Sequence, residues 1–196
     1  MKVLYVNACV RPDSRTAVLA KYALQKIGGE VDEVLLNDIS DISPLKRDVL
    51  DYRGSLLCQG EWDNPMFSRA RQFAAADFIV IAAPYWDLSF PALLKIYFES
   101  INVLGITFSY GSDDIPRSLC KAKNLLYITT AGGQIVSDEY GFGYVKELCR
   151  VFYGINDVRY VKAEGLDLRG ADIEGIMKQA RSRIDSMFSV RRFEKK

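Results

Sequence analysis

The sequence predicts an α/β protein with a parallel sheet covered by helices on both faces, and three observations support that prediction. Strand-like and helix-like segments alternate along the chain, which is typical of parallel sheets. The run FIVIAA at residues 78–83 is apolar without alternation, as expected of a central strand that is buried on both faces. The length of 196 residues suits one domain with a sizeable core.

The first half of the chain contains three predicted strands. Residues 2–7 form the first, and from Thr16 apolar residues recur at helical spacing until Gly28 and Gly29 end a helix. Residues 31–36 form the second strand, residues 45–60 are a less regular helical region, and residues 65–75 are a helix. This helix leads into the third strand, residues 77–83.

The second half continues the alternation. A helix over residues 91–103 has Pro91 in its first turn and Ser89 as its expected N-cap. Residues 106–110 are extended and residues 111–116 are hairpin-like. The fourth and fifth strands cover residues 123–130 and 158–163. Two further helices cover residues 144–152 and 170–188. We expect residues 1–190 to be a single domain and residues 191–196 to be a charged C-terminal tail.

Five strands in this pattern favour the flavodoxin-like order 2-1-3-4-5 over a six-stranded sheet. In that order the carboxyl ends of the first, third and fourth strands are neighbours around the point where the strand order reverses. Open α/β sheets bind their ligands at that point. The loops that follow these three strands therefore form the candidate site.

Composition excludes several classes of function. The chain has no histidine, which excludes Ser-His-Asp and Cys-His nucleophiles and histidine-based zinc sites, so any difficult chemistry belongs to a cofactor. The net charge of +1 favours neither nucleic acid nor anionic membrane as a partner. The chain enters a strand pattern at once, with no signal-peptide pattern and no apolar run near the roughly 20 residues of a membrane helix, so we expect a cytoplasmic protein. We expect no metal site, and free thiols at the four cysteines, Cys9, Cys58, Cys120 and Cys149.

The loop after the first strand, ACVRPDSRT, is a candidate anion site. Ser14 and Thr16 supply hydroxyls, and the start of a helix supplies free N–H groups and the positive end of its dipole. Arg11 or Arg15 adds charge-assisted hydrogen bonds to a phosphate. The alternative is that Ser14 only caps the helix and the arginines are solvated.

The other two loops are candidates for holding a flat ring. The loop Pro84-Tyr85-Trp86-Asp87-Leu88 carries two large aromatic side chains, and its backbone N–H groups at residues 86–88 are expected to bond the polar edge of a heterocycle. The alternative is that these aromatics simply pack. In the loop after the fourth strand, Gly132 and Gly133 allow a close backbone approach to a ligand, or form a plain turn. An anion end and an aromatic end together suit flavin mononucleotide (FMN).

Three stretches carry a family resemblance: KVLYVNACVRPDSRT, AAPYWDLSFPALLKIYFESI and ITTAGG. With these the chain resembles the flavodoxin-like NAD(P)H dehydrogenase (quinone) and FMN-dependent NADH-azoreductase family. The resemblance implies FMN as cofactor, NADH or NADPH as electron donor, a quinone or azo compound as acceptor, and a homodimer. It also implies which residues hold the flavin: Arg11, Ser14 and Thr16 at the phosphate, Pro84, Tyr85, Trp86, Asp87 and Leu88 along the isoalloxazine, and Thr130, Ala131, Gly132 and Gly133 on the other side of the ring.

The chain departs from the family pattern at three positions. Cys9 stands where the family usually has a serine, Asp87 where it often has an asparagine, and Ala131 where a variant has arginine. Three other functions stay open beside the flavoenzyme: a flavodoxin-type electron carrier, a non-catalytic member without flavin, and thiol chemistry at Cys9. The net charge argues against the carrier, because such carriers tend to be strongly acidic.

Overall fold

The computed structural model describes residues 1–38 and 42–189, so the predicted tail at residues 191–196 lies outside the described residues. The strands are β1 (Lys2–Asn7), β2 (Glu30–Leu35), β3 (Phe78–Ala82), β4 (Phe108–Tyr110), β5 (Pro116–Ser118), β6 (Asn124–Thr130) and β7 (Asp157–Ala163). The helices are α1 (Arg15–Ile27), α2 (Arg47–Gln59), α3 (Ser68–Ala75), α4 (Ala92–Ile101), α5 (Tyr144–Leu148) and α6 (Ile173–Phe188). None of the described helices combines the length and apolarity needed to cross a bilayer.

The main sheet has five parallel strands in the order β2-β1-β3-β6-β7. This confirms the predicted order 2-1-3-4-5. The central strand β3 is buried along its whole length, which explains its unbroken apolar sequence. Asn7, the last residue of β1, pairs with Ala82, the last residue of β3, so the two strands end side by side.

Each face of the sheet has its own hydrophobic core. On one face, Val3, Tyr5 and Val80 pack against residues of α1 and α6. On the other face, the alternate strand residues Leu4 and Ile79 pack with residues of α3, α4 and α5. Alternation of neighbouring strand residues between two covered faces is the arrangement that the sequence predicts.

Three features differ from the prediction. The helix expected at residues 144–152 is longer, because π-helical turns Glu139–Gly143 and Cys149–Tyr153 flank α5. The hairpin-like segment is confirmed, but its second strand, β5, was not predicted. Ser89 as the cap of α4 is wrong: Pro91 is the N-cap residue and no side chain caps the helix. The Ser89 hydroxyl instead donates to the carbonyl of Tyr140.

Candidate functional site

A cavity of about 310 Å³ opens at the carboxyl edge of the main sheet. The loops after β1, β3, β6 and β7 line it together with the first turn of α1. The chain leaves β1 toward β2 on one side, while β3 lies on the other side, so the crevice coincides with the reversal of strand order. The topology thus places the cavity where the sequence predicted a ligand site.

Most of the predicted site residues line this cavity: Arg11, Ser14, Arg15, Thr16, Pro84, Tyr85, Trp86, Thr130, Ala131 and Gly132. Asp87, Leu88 and Gly133 are exposed and do not line it. Four lining residues were not predicted: Val10, Asp13, Leu166 and Asp167. Leu166 and Asp167 follow β7, the fifth strand of the main sheet. The carboxyl end of β7 lies at the same edge of the sheet as the cavity. Their position after a parallel strand was the signal that could have identified them from the sequence.

One end of the cavity is the N-terminus of α1. The Ser14 side chain accepts a hydrogen bond from the Ala17 amide at 3.4 Å and so caps the helix. The amides of Arg15 and Thr16 donate to no acceptor within the described residues. Ser14 therefore caps the helix, and the free N–H groups and the positive dipole end of that helix face an open cavity, so the anion site stays a prediction.

A buried contact joins two of the lining loops. The hydroxyls of Thr16 and Thr130 lie 2.7 Å apart, and both residues are buried. The Thr130 carbonyl also accepts a hydrogen bond from the Tyr85 amide at 2.9 Å. Thr130 therefore ties the phosphate-binding candidate on α1 to the aromatic loop after β3, and the Thr16 hydroxyl is used for this contact.

A surface ion pair crosses the cavity mouth. The Nη1 atom of Arg15 lies 2.7 Å from Oδ1 of Asp167 and 3.4 Å from the carbonyl oxygen of Leu166. A Cβ atom on Gly132 would lie only 2.3 Å from Oδ2 of Asp167. Because Gly132 has no side chain, there is room for this carboxylate. The sequence predicted that a ligand would approach this glycine closely, and in the structure Asp167 does so.

The aromatic end of the cavity is built on a strained turn. The amide of Trp86 donates to the Ser89 carbonyl at 3.1 Å, and the Ser89 amide donates back to Trp86 at 2.7 Å. The two central residues, Asp87 and Leu88, have φ angles of 48° and 68°, which define a type I′ turn. Positive φ is unfavourable for a leucine and often marks a functional position. The turn leaves Trp86 40% exposed beside the cavity.

The expected amide donors of this loop are only partly available. The Trp86 amide is used by the turn itself, so its assignment as a donor to a heterocycle is wrong. The amides of Asp87 and Leu88 donate to nothing in the described part of the chain. These two residues can therefore act on a ligand at the cavity mouth through their backbone rather than as part of the cavity wall.

Cys9 lies inside the protein rather than in the cavity. It is 5% exposed, and its amide donates to the Asn7 side-chain oxygen at 3.0 Å. Burial raises the pKa of the Cys9 thiol, and this effect outweighs a hydrogen bond with Ser14 that acts in the opposite direction. Burial and the raised pKa therefore argue against a low-pKa thiol at the helix start.

The fold and the site define an α/β protein with a crevice at its switch point, lined by the N-terminus of α1 and by two aromatic side chains. A match to the flavodoxin-like fold family extends over residues 1–188, and the chain belongs to that family. It is 33% identical to an FMN-dependent NADH:quinone oxidoreductase of Lachnoclostridium phytofermentans over 93% of this chain and 95% of the relative. It is 35% identical to FMN-dependent NADH:quinone oxidoreductase 2 of Clostridium acetobutylicum over 90% of this chain and 92% of the relative.

A solved structure has the same fold. An FMN-dependent NADH-azoreductase from Bacillus anthracis, in complex with FMN, superposes with a TM-score of 0.80 at 22% identity. The superposition covers 96% of this chain and 98% of the azoreductase. The fold is therefore shared along nearly the whole length of both proteins.

Proposed function

We propose that this chain is an FMN-dependent oxidoreductase that transfers hydride from NADH to quinone- or azo-type acceptors in two-electron steps. The observation that carries the proposal is the crevice between the ends of β1 and β3, with the free amides of α1 at one end and Tyr85 and Trp86 at the other. The names of the relatives support the same chemistry, donor and cofactor.

The residues of the cavity fit FMN. Free amides of Arg15 and Thr16 at a helix N-terminus suit its phosphate. The amides of Gly132 and Gly133 also donate to nothing in the described residues, and so remain available to a polar ring edge. We propose these roles: Arg11, Ser14, Arg15 and Thr16 at the phosphate; Pro84, Tyr85, Trp86, Asp87 and Leu88 along the ring; Thr130, Ala131, Gly132 and Gly133 on the other side.

The chain itself supplies binding and orientation. FMN, when bound, supplies the hydride acceptance and electron delivery that no side chain provides. Pro84 and Tyr85 form a wall whose position is fixed by the hydrogen bond from the Tyr85 amide to Thr130. Trp86 adds apolar surface at the open mouth and so shapes the space left for donor and acceptor. The absence of histidine is consistent with a site that needs no side chain as obligatory acid or base.

The absorbance spectrum of the purified protein, with and without added FMN, tests the proposal first. We expect flavin absorbance that bleaches on addition of NADH and recovers with a quinone. Steady-state oxidation of NADH with a quinone and with an azo dye then tests turnover, and NADPH is compared as donor. A protein that gains no flavin is a non-catalytic member, and stable one-electron reduction without turnover identifies a carrier.

We further propose a single-domain, cytoplasmic homodimer. Exposed apolar side chains on and near the β4–β5 hairpin support an interface between copies: Leu104, Tyr110, Ile115 and Leu119 are each at least 44% exposed. Light scattering during size-exclusion chromatography measures the mass, and about twice the 22.1 kDa chain mass is expected. A monomer at micromolar concentration contradicts the dimer, and cell fractionation tests the location.

A further inference from the structure

The Arg15 guanidinium already has an anionic partner in the cavity. Arg11 and Arg15 are the arginines that line the cavity, and Arg15 is paired with Asp167. The side chains of Arg15 and Asp167 are 39% and 66% exposed, so the pair is open to solvent at the cavity mouth. A phosphate that reaches Arg15 therefore meets a carboxylate 2.7 Å from the same guanidinium nitrogen.

Asp167 is held at this position by its backbone. Its amide donates to the Gly132 carbonyl at 2.9 Å, and the neighbouring Leu166 amide donates to the Ala131 carbonyl at 3.2 Å. The carboxylate occupies the space that a side chain on Gly132 would fill. The negative charge therefore lies over the loop after β6, beside the predicted phosphate position.

We propose that Asp167 is a specificity-determining counter-ion that competes with the phosphate of the flavin for Arg15. This inference rests on the proposed function. When the phosphorylated flavin binds, Arg15 exchanges the Asp167 carboxylate for the phosphate. Breaking the Arg15–Asp167 ion pair therefore offsets part of the attraction between Arg15 and the phosphate. The carboxylate that loses Arg15 also repels the phosphate. Asp167 thus lowers the preference of the site for FMN over riboflavin.

Neutralising Asp167 tests the proposal directly. The substitution Asp167→Asn keeps the size and shape of the side chain beside Gly132 and removes its charge. We expect it to tighten FMN binding about three- to tenfold, because one unit charge at contact distance in solvent changes the interaction by about this factor. Riboflavin affinity should not change, and the gain for FMN should shrink as salt screens the exposed charges.

Asp185→Asn is a matched control. Asp185 also pairs with a cation of α1, since its Oδ1 atom lies 2.7 Å from Nζ of Lys26, and it does not line the cavity. This variant changes the net charge by the same amount, so an effect of overall charge would appear in both variants. The double variant Arg15→Gln with Asp167→Asn should gain less over Arg15→Gln than Asp167→Asn gains over wild type, because without Arg15 only the direct repulsion between Asp167 and the phosphate is removed.

Flavin fluorescence titrations of wild type and variants with FMN and with riboflavin provide the dissociation constants. A wild type that binds FMN, with an Asp167→Asn variant that binds it no more tightly, overturns the inference. Asp167→Ser replaces Asp167→Asn if that variant does not fold. Thermal stabilisation by inorganic phosphate is a second readout that needs no flavin, and it should be greater in Asp167→Asn than in wild type.

The two readouts separate the inference from the proposed function. If no flavin binds to wild type but phosphate stabilises Asp167→Asn more strongly, the proposed function is wrong and the competition for Arg15 stands. If the variant gains neither flavin affinity nor phosphate stabilisation, the competition is wrong.

Discussion

The hydroxyls of Thr16 and Thr130 lie 2.7 Å apart in the interior, at the point where α1 begins and β6 ends. Either hydroxyl can be the donor, and neither side chain is more than 9% exposed. This contact joins the start of α1, the proposed phosphate site, to the end of β6. Its loss should affect stability and cofactor binding together.

We expect Thr16→Val and Thr130→Val each to lower the free energy of unfolding by about 1–3 kcal/mol, because each leaves one buried hydroxyl without a partner. The double variant should lose less free energy of unfolding than the two single variants added together, since it removes both polar groups and leaves neither hydroxyl without a partner. Urea unfolding measures the three values. Additive losses would show that the two hydroxyls do not interact.

Thr129→Val is the control for these substitutions. Thr129 is 1% exposed, and its hydroxyl has no hydrogen-bond partner among the described residues. Replacing it by valine removes an unpaired buried polar group at nearly constant volume. The variant should therefore be as stable as wild type or more stable.

A second prediction separates the phosphate end from the ring end. Arg11→Ala and Ser14→Ala should weaken FMN binding about three- to tenfold and leave riboflavin binding nearly unchanged, because only FMN carries the phosphate. Fluorescence titration with both flavins measures the effect. Arg47→Ala is the control for the lost charge, since the Arg47 side chain is 94% exposed and does not line the cavity. Equal losses for both flavins would contradict a phosphate site at the start of α1.

A third prediction uses the two tryptophans. Trp86 and Trp62 are both 40% exposed, but only Trp86 lines the cavity. Trp86→Ala should weaken both FMN and riboflavin about tenfold through the loss of aromatic contact. Trp62→Ala should leave both dissociation constants unchanged. Similar effects of the two substitutions would mean that Trp86 is not a ring contact.

The strand order and much of the site could be predicted because both depend on local patterns. The apolar run of β3 and the cap at Ser14 are visible in the sequence itself. The position of the loops follows from topology, since parallel strands place their carboxyl ends at one edge. The same rule applied to β7 predicts a contribution from the loop that contains Asp167.

Other features depend on contacts between distant residues, which spacing does not reveal. The pairing of Arg15 with Asp167 spans 152 positions and needs the space left by Gly132. The use of the Trp86 amide by Ser89 follows from positive φ angles at two residues that are not glycine. Sequence propensity argues against a type I′ turn at Asp87-Leu88, because aspartate suits its first central position but the second favours glycine over leucine.

A fourth prediction concerns the strain in that turn. Leu88 has a φ angle of 68° and is 48% exposed. Leu88→Gly should raise the free energy of unfolding by up to about 1 kcal/mol, because the left-handed conformation has no steric cost for glycine. Leu119→Gly is the control, since Leu119 is 47% exposed and does not have a positive φ angle. This control should be destabilised, and destabilisation of both variants would contradict strain at Leu88.

A fifth prediction tests thiol chemistry. Cys58 is exposed, while Cys9, Cys120 and Cys149 are buried. One thiol of the native protein should react rapidly with a thiol reagent at pH 8, and Cys58→Ser should remove this reaction. All four cysteines should react after unfolding. A rapidly reacting thiol in native Cys58→Ser would restore the hypothesis of a reactive Cys9.

The buried thiols also predict a dependence of stability on pH. Burial raises the pKa of Cys120 and of Cys149 to about 12, from an ordinary value of 9.0. Between these pKa values the unfolded chain loses the thiol protons while the folded chain keeps them. The free energy of unfolding therefore falls as the pH rises through this range. The contribution is fully present below pH 9 and is lost as the pH rises toward 12. Urea unfolding at pH 8 and pH 10 should show a lower free energy of unfolding at pH 10, and replacing Cys149 by alanine should reduce that difference.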